Sequence, residues 1–328
     1  MKVTWGLVGN SHDASIAVWH EDAYYGDNGM RYATLAKSDC HSKQLLDNIK
    51  AQYGDPDEIV WYERPFLKTI RQFRAGQGWL AKENNIKRYL ADRGCSRKRF
   101  TDQPVKISYV QHHLSHAAYA YYTQPHDNCA VICLDSIGEF ETLTVWHGVN
   151  GKLKKLHSQS YPHSLGLFYS AMTQRLGLTP QQDEYLISEW AKKGDPMRLW
   201  GAVCSDIINV KQDAARPYIR MRQNLHRGCR QWRPDLNTKQ DLYDLAAATQ
   251  EIFCWTVKIL SNWAHWRTGS AHLALAGGGA LNRDAVSRIS KDWQSVSVPP
   301  NPGDPGSAIG CVLAEKKKFI TNIEEVWK

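Results

Sequence analysis

Ala130-Val131-Ile132-Cys133-Leu134 runs without a polar break and ends in Asp135. A strand of that composition must be covered on both faces, as a central strand is in a layered α/β sheet. It therefore predicts a buried central strand with a carboxylate at its end. After the turn Asp135-Ser136-Ile137-Gly138-Glu139, the segment 141–147 reads as a strand pairing back, and Val149-Asn150-Gly151 makes the next turn. The same order of apolar strand, polar turn and second strand occurs at the N-terminus, in residues 3–9, 10–15 and 16–19. The echo is one of supersecondary structure, not of identity. A chain of 328 residues exceeds what one small core organises. We divide it into lobe I, 1–125, and lobe II, 126–328.

Chemistry-bearing residues gather at the ends of these strands. The strand 105–110 feeds His112-His113-Leu114-Ser115-His116, which continues with small and aromatic residues and no Pro or Gly. In a helix, His112 and His116 share one face and can hold a divalent metal through neutral imidazoles. Helix-surface histidines would give the same pattern, so a third ligand from elsewhere is needed. Asp304, in the loop Asn301-Pro302-Gly303-Asp304-Pro305-Gly306 before a small-residue helix, is the best candidate, although such an Asp also forms ordinary turns. Gly277-Gly278-Gly279 follows the apolar strand 272–276 and lets backbone amides approach a phosphate. It is neither a Walker A loop nor a dinucleotide fingerprint, because Gly-Lys-Ser/Thr and Gly-x-Gly-x-x-Gly are both missing. Ser164 is placed to cap a helix over 164–176. His12 and Asp13 sit in the first hairpin turn, as strand-anchored chemistry or as a plain Asx turn. Glu63 and Arg64 end the strand 58–62, either against a ligand or as a surface ion pair.

Charge is the other pattern. The net charge is +8, and the basic residues cluster. Lys68, Arg71, Arg74, Arg97, Lys98 and Arg99 lie in the segment 66–99 among Phe66, Phe73, Trp79 and Tyr89. Arg220, Arg222 and Arg227 lie in a second basic stretch, 209–233, with Tyr218 and Trp232. Solvated helix faces can look like this, but interleaved aromatics favour a polyanion-binding arm. Eight scattered cysteines with no Cys-x-x-Cys pair exclude a zinc ribbon and a disulfide scaffold, and imply reduced thiols in a cytoplasm. No apolar run approaches the ~20 residues of a membrane span, and the first residues read as a strand rather than a secretory signal.

In order, Gly6-Leu7-Val8-Gly9 with His12-Asp13-Ala14-Ser15, Tyr62-Glu63-Arg64-Pro65, His112-His113-Leu114-Ser115-His116-Ala117-Ala118, Leu134-Asp135-Ser136-Ile137-Gly138-Glu139, Ser164-Leu165-Gly166, Ala276 to Asn282 and Gly303 to Gly310 together resemble one family. It is the N-terminal domain of the nodulation and antibiotic O-carbamoyltransferases, and the resemblance covers nearly the whole chain. It implies the two-lobed actin-like ATPase fold, with duplicated sheet-and-helix lobes and nucleotide in the cleft. It further implies His112, His116 and Asp304 around a metal, iron ahead of manganese, magnesium or zinc. Asp135, Gly138, Glu139, Gly277, Gly278, Gly279 and Asn282 would face nucleotide phosphates. His12, with Asp13, would act on the acceptor hydroxyl.

Two departures qualify the resemblance. Family members carry a C-terminal domain that forms carbamoyl-adenylate, and none is expected here. The stretch after Asp183-Glu184 also lacks the family's lysine and glycine. The expected activity is carbamoyl transfer from carbamoyl phosphate, with ATP, to a hydroxyl. The two basic arms point to a polyanionic acceptor: DNA carrying 5-hydroxymethylcytosine, as in phage-type DNA-modification enzymes working in a host cytoplasm. A small-molecule O-carbamoyltransferase and a non-catalytic nucleotide or nucleic-acid binding module are the alternatives.

Overall fold

A computed structural model of the chain describes residues 2–10, 13–21, 29–36, 38, 40–74, 76, 84–92, 105–211 and 216–328. The first sheet contains β1 (Lys2–Val8), β2 (Ser15–Glu21), β3 (Met30–Leu35), β4 (Glu58–Trp61) and β5 (Lys106–Tyr109), in the order β3-β2-β1-β4-β5. β1 and β2 form the expected antiparallel hairpin, with Val8 opposite Ser15. Within this unit lie α1 (Lys43–Tyr53), α2 (Pro65–Arg74) and α3 (Ile86–Asp92). The histidine stretch forms α4 (His112–Tyr122).

The second sheet repeats the plan. β6 (Cys129–Gly138), β7 (Glu141–Val149) and β8 (Lys152–Ser160) form a meander. α5 (Leu165–Arg175), α6 (Glu184–Ala191), α7 (Pro196–Asp206), the small ribbon β9 (Ile208–Lys211) and β10 (Tyr218–Met221), and the long α8 (Lys239–Thr268) follow. β11 (His272–Ala276), α9 (Arg283–Ser290), β12 (Ser295–Ser297), α10 (Ser307–Lys316) and α11 (Ile323–Val326) complete the chain. The order β12-β11-β6-β7-β8 makes β6 the central strand, as its unbroken apolar run requires. The two mixed sheets share one plan, an antiparallel three-stranded meander extended on one side by two parallel strands.

Each face of β6 has its own cover. α10 packs on β1, β2 and β4, α4 packs on α10, and α4 in turn meets β6 and β11, so these two helices lie between the sheets. On the other face, α5 and α8 bury Phe168, Met172, Ala248 and Ile252 against Ile132 and Leu275. Chain order and packing therefore part at the C-terminus: α10 belongs to lobe II in sequence but fills the core of lobe I. The last residues also return to β3, where the Lys328 N–H donates to the Ala33 carbonyl at 2.9 Å.

Two elements depart from the sequence pattern. β3 mixes apolar and polar residues with only Met30 and Ala33 buried, so no clean alternation marks it. Pro65 lies just past the end of β4, as a strand stop should, but it also begins α2, because its ring suits the first helical turn. The helix expected over 79–93 is described only as α3, and residues 77–83 lie outside the described set.

Among the described glycines, the tightest approach of backbone to backbone is made by Gly6 of β1, where a β-carbon would overlap the backbone carbonyl of Ala308 on α10. Gly6→Ala should therefore lower stability by about 1–3 kcal/mol. The check is the midpoint of chemical denaturation, and an unchanged midpoint would mean that β1 and α10 can separate without cost.

Candidate metal centre

α4 is buried along almost its whole length, including His112, His113 and His116. It lacks the usual bias of charge to one face because both its sides are covered. His112 and His116 project from consecutive turns and meet at their Nε2 atoms, 3.0 Å apart. Asp135, at the end of the apolar stretch of β6, brings Oδ2 to 3.2 Å from His112 Nε2. Asp304 brings Oδ1 to 3.4 Å from His112 Nε2 and 3.6 Å from His116 Nε2. All four donor atoms lie within 4.8 Å of one another.

These spacings fit an ion. Ligands about 2.1 Å from one metal at tetrahedral angles lie about 3.4 Å from each other. Two imidazoles and two carboxylates suit zinc, iron or manganese better than a hard oxygen-only cation. The neighbours orient the set. Ser307 Oγ lies 3.3 Å from His116 Nδ1, which leaves Nε2 facing the cluster. Tyr119 donates to the Pro300 carbonyl at 2.5 Å, and Ser15 Oγ donates to the Pro305 carbonyl at 2.7 Å. Both bonds pin the loop that carries Asp304.

The electrostatics match. Burial alone would depress the His112 pKa, but Asp304 and the hydrogen bond to Asp135 outweigh it and push it up to about 9. Asp135 is itself held below the usual carboxylate range: burial opposes this, and the His112 hydrogen bond prevails. His113 is different. Its Nδ1 meets Thr144 Oγ1 at 3.0 Å, and burial together with the charge on His112 drives its pKa well down. It packs the core and stays outside the cluster.

Several residues expected at the phosphates have protein contacts of their own. Asp135 joins the metal cluster. Its position at the end of a buried strand is the available signal, but the facing helix that makes it a ligand is remote in sequence. Gly138 makes room for His112, since a β-carbon there would overlap the imidazole. Glu139 is engaged by Arg64, whose Nε and Nη2 donate to it at 3.1 and 2.8 Å and whose backbone N–H donates at 2.6 Å. Gly277, at φ +83°, already donates its amide to the Pro302 carbonyl at 2.7 Å, so its contribution is the turn. Gly278 does lie beside Asp135, and Gly303 lies beside Gly278. A β-carbon on Gly279 would press on Leu134. Asn282 caps α9 by accepting from Ala285 N–H and exchanges hydrogen bonds with Gln250.

Of the remaining candidates, Asp13 is exposed beside the first hairpin, whereas His12, Arg97, Lys98 and Arg99 lie outside the described residues. Lys68 is mostly buried and bound to Glu63 at 2.7 Å. Arg71 is also buried, only 8% exposed. Arg74, Arg220, Arg222 and Arg227 are exposed.

The fold and the cluster together define a two-lobed α/β protein with a buried two-histidine, two-carboxylate centre. The family model described as carbamoyltransferase N-terminus matches residues 43–313, and the chain belongs to that family. Protein sll1178 of Synechocystis sp., of uncharacterized function, is 29% identical over 307 residues, which cover 83% of this chain and 49% of that protein. Nodulation protein NolNO of Sinorhizobium fredii is 29% identical over 280 residues, covering 82% of this chain and 40% of that protein. The chain thus spans about half the length of these curated relatives or less. Among solved structures, component A of the Acidaminococcus fermentans (R)-2-hydroxyglutaryl-CoA dehydratase aligns at TM-score 0.49 and 12% identity, over 97% of this chain and 99% of that one. HypF of T. kodakarensis aligns at TM-score 0.48 and 12% identity, over 100% of this chain and 48% of that one. No helix among the described residues is long and apolar enough to cross a membrane.

Two outcomes follow from the geometry. An ion binding at His112 must displace its proton, so metal affinity should rise between about pH 7 and about pH 9, as equilibrium dialysis would record. In the metal-free chain the sign reverses. The folded pKa is above the ordinary value near 6.5, so the stability from protonated His112 is complete below that value and is lost as pH rises through about 9. Gly138→Ala, which displaces the imidazole, should weaken metal binding by about tenfold or more while leaving the far-UV spectrum intact. Unchanged affinity would remove His112 from the ligand set.

Proposed function

We propose that the protein transfers a carbamoyl group from carbamoyl phosphate to a hydroxyl, at the junction of its two lobes. The observation that carries this reading is the His112, His116, Asp135 and Asp304 cluster, which falls within the span matched by the carbamoyltransferase family model. In the reaction, the acceptor oxygen forms a bond to the carbonyl carbon and the bond from that carbon to the phosphate oxygen breaks. The hydroxyl proton leaves through a base, and phosphate departs.

A divalent metal, iron before manganese, magnesium or zinc, would be held by the four donors and would supply Lewis-acid polarisation of a carbonyl or phosphoryl oxygen. His12 is the proposed base, because imidazole titrates near neutrality. Ser15, the first residue of β2, is bonded to the residue after Asp304. Gly278 and Gly279, at the turn beside Asp135, are the proposed phosphate-facing backbone. ATP is included as a cosubstrate on the family resemblance, and a cytoplasmic setting is part of the same proposal.

For the acceptor we favour the hydroxymethyl group of 5-hydroxymethylcytosine in DNA. What supports it is convergence of the two basic stretches. A β-carbon on Gly76, just past α2, would lie 4.0 Å from Nη2 of Arg227. Arg74 also sits over the Phe140 ring at 5.6 Å. Phe66 and Phe73 on α2 are 72% and 53% exposed, so bases have rings to stack on beside exposed cations. The target base would have to leave its duplex to reach a buried cluster. A small-molecule hydroxyl is the second reading, favoured by the likeness to a nodulation protein.

The assay is incubation of the metal-loaded chain with carbamoyl phosphate, ATP and hydroxymethylated duplex, followed by nucleoside mass analysis. A carbamoylated nucleoside is expected, with its yield cut by at least about a hundredfold in His116→Ala. Leaving out each donor in turn identifies the one used. Product on an aminocyclitol or sugar hydroxyl, with none on DNA, would move the acceptor to the small-molecule class.

A further inference from the structure

Arg71 is a buried cation that neither the metal cluster nor the protein core accounts for. It lies on α2, it is 8% exposed, and its Nε is buried with no hydrogen-bond partner among the described residues. Burial lowers its pKa, and Glu63, Tyr161 and Tyr62 act in the opposite direction. A guanidinium stays charged in proteins and presents a planar fork of donors, so leaving one buried and under-bonded is costly unless something completes it. Glu63 is the nearby acid, but Lys68 already holds it at 2.7 Å. Lobe II adds more positive charge: the pKa of His226 is lowered by burial and then by the charges of Arg71 and Arg227. The site around Arg71 is therefore short of an anion. It also adjoins the metal centre, because Glu63 acts on both Arg71 and His112, and Tyr62 meets the His112 ring at a centroid distance of 5.3 Å.

We propose that Arg71, with Lys68 beside it, forms a subsite for a phosphate monoester at the lobe junction, and that this subsite holds the phosphoryl end of the carbamoyl donor. The second half rests on the carbamoyl-transfer reading; the oxyanion subsite does not. Burial decides between sources of phosphate. A guanidinium 8% exposed is open to a small anion entering the cleft. A DNA backbone would instead follow the exposed Arg74, Arg220, Arg222 and Arg227. A planar fork also matches a phosphate's oxygens two at a time, which an ammonium cannot do.

The test titrates the metal-free full chain with inorganic phosphate and with carbamoyl phosphate, comparing the native sequence with Arg71→Gln and Arg71→Lys by calorimetry and thermal unfolding. Arg71→Gln should weaken both ligands by about tenfold or more, and Arg71→Lys should fall between. Without phosphate, Arg71→Gln should unfold at the same temperature or higher, because an under-bonded buried charge has been removed. Phosphate should raise the unfolding temperature of the native chain and not that of the glutamine variant. Equal phosphate affinity in the native chain and Arg71→Gln, or no phosphate binding by the native chain, overturns the subsite. If Arg71→Gln does not fold, the Arg71→Lys comparison decides. An equal loss of affinity for unmodified duplex DNA in Arg71→Gln would assign the subsite to the backbone and overturn the donor half. The two readings separate cleanly. Phosphate binding lost in Arg71→Gln, with no carbamoyl product from the native chain on any acceptor, keeps the subsite and ends the transfer reading. Transfer by Arg71→Gln at an unchanged KM for carbamoyl phosphate overturns the donor half and keeps the transfer.

Discussion

The close approach of α10 to α4 and β1 is the constraint on which the site depends. A β-carbon at Gly310 would overlap the Ser115 carbonyl on α4, just as one at Gly6 would overlap the Ala308 carbonyl. With backbones this close, α10 has no freedom to slide along either neighbour, since interiors are packed at crystal-like density. That matters because Asp304 and Ser307 stand at the start of α10, while His112 and His116 stand at the start of α4. Two helix beginnings are thus locked together, and Asp135 arrives from the strand beneath them. The small residues of Ser307-Ala308-Ile309-Gly310 have a positional purpose: they bring ligands from distant parts of the chain to one point.

The charge balance of the cluster has its own logic. Two neutral imidazoles and two carboxylates sum to −2, which a divalent cation neutralises. Without the cation, protons take over part of its work, and this is why the His112 pKa is high despite burial that would lower it. A buried pair of carboxylates is costly on its own. The cluster consequently favours a positive charge within it, which in the metal-free chain is the proton on His112.

Much of this is legible in the chain. The apolar run before Asp135 specifies a central covered strand, and β6 is that strand. His112 and His116 at helical spacing call for a third donor, Asp304 is the candidate, and the three do converge. Ser164 caps α5 as expected, accepting from the Leu167 N–H. The departures share a cause: they concern what lies across a gap in sequence. Nothing local distinguishes a glycine that admits a phosphate from one that admits an imidazole, and it is the facing helix that shows Gly138 making room for His112. Asp135 and Asn282 lie at strand and helix ends, where a carboxylate or amide has several uses, and only the facing element decides among them. Lys68 and Arg71 look like surface cations because a helix face is set by the neighbours it meets, and those neighbours, Glu63 and Tyr161, lie outside the helix.

The Arg64–Glu139 pair joins the first sheet's α2 entrance to the β6–β7 turn. Its carboxylate is almost wholly buried, yet the guanidinium side chain is 44% exposed. An ion pair half open to water exchanges its partner for solvent far more readily than one closed on both sides. The link is thus a latch rather than a weld. Mobile counterions compete for its exposed half, so the hold between the sheets at this edge depends on the surrounding electrolyte as well as on the protein.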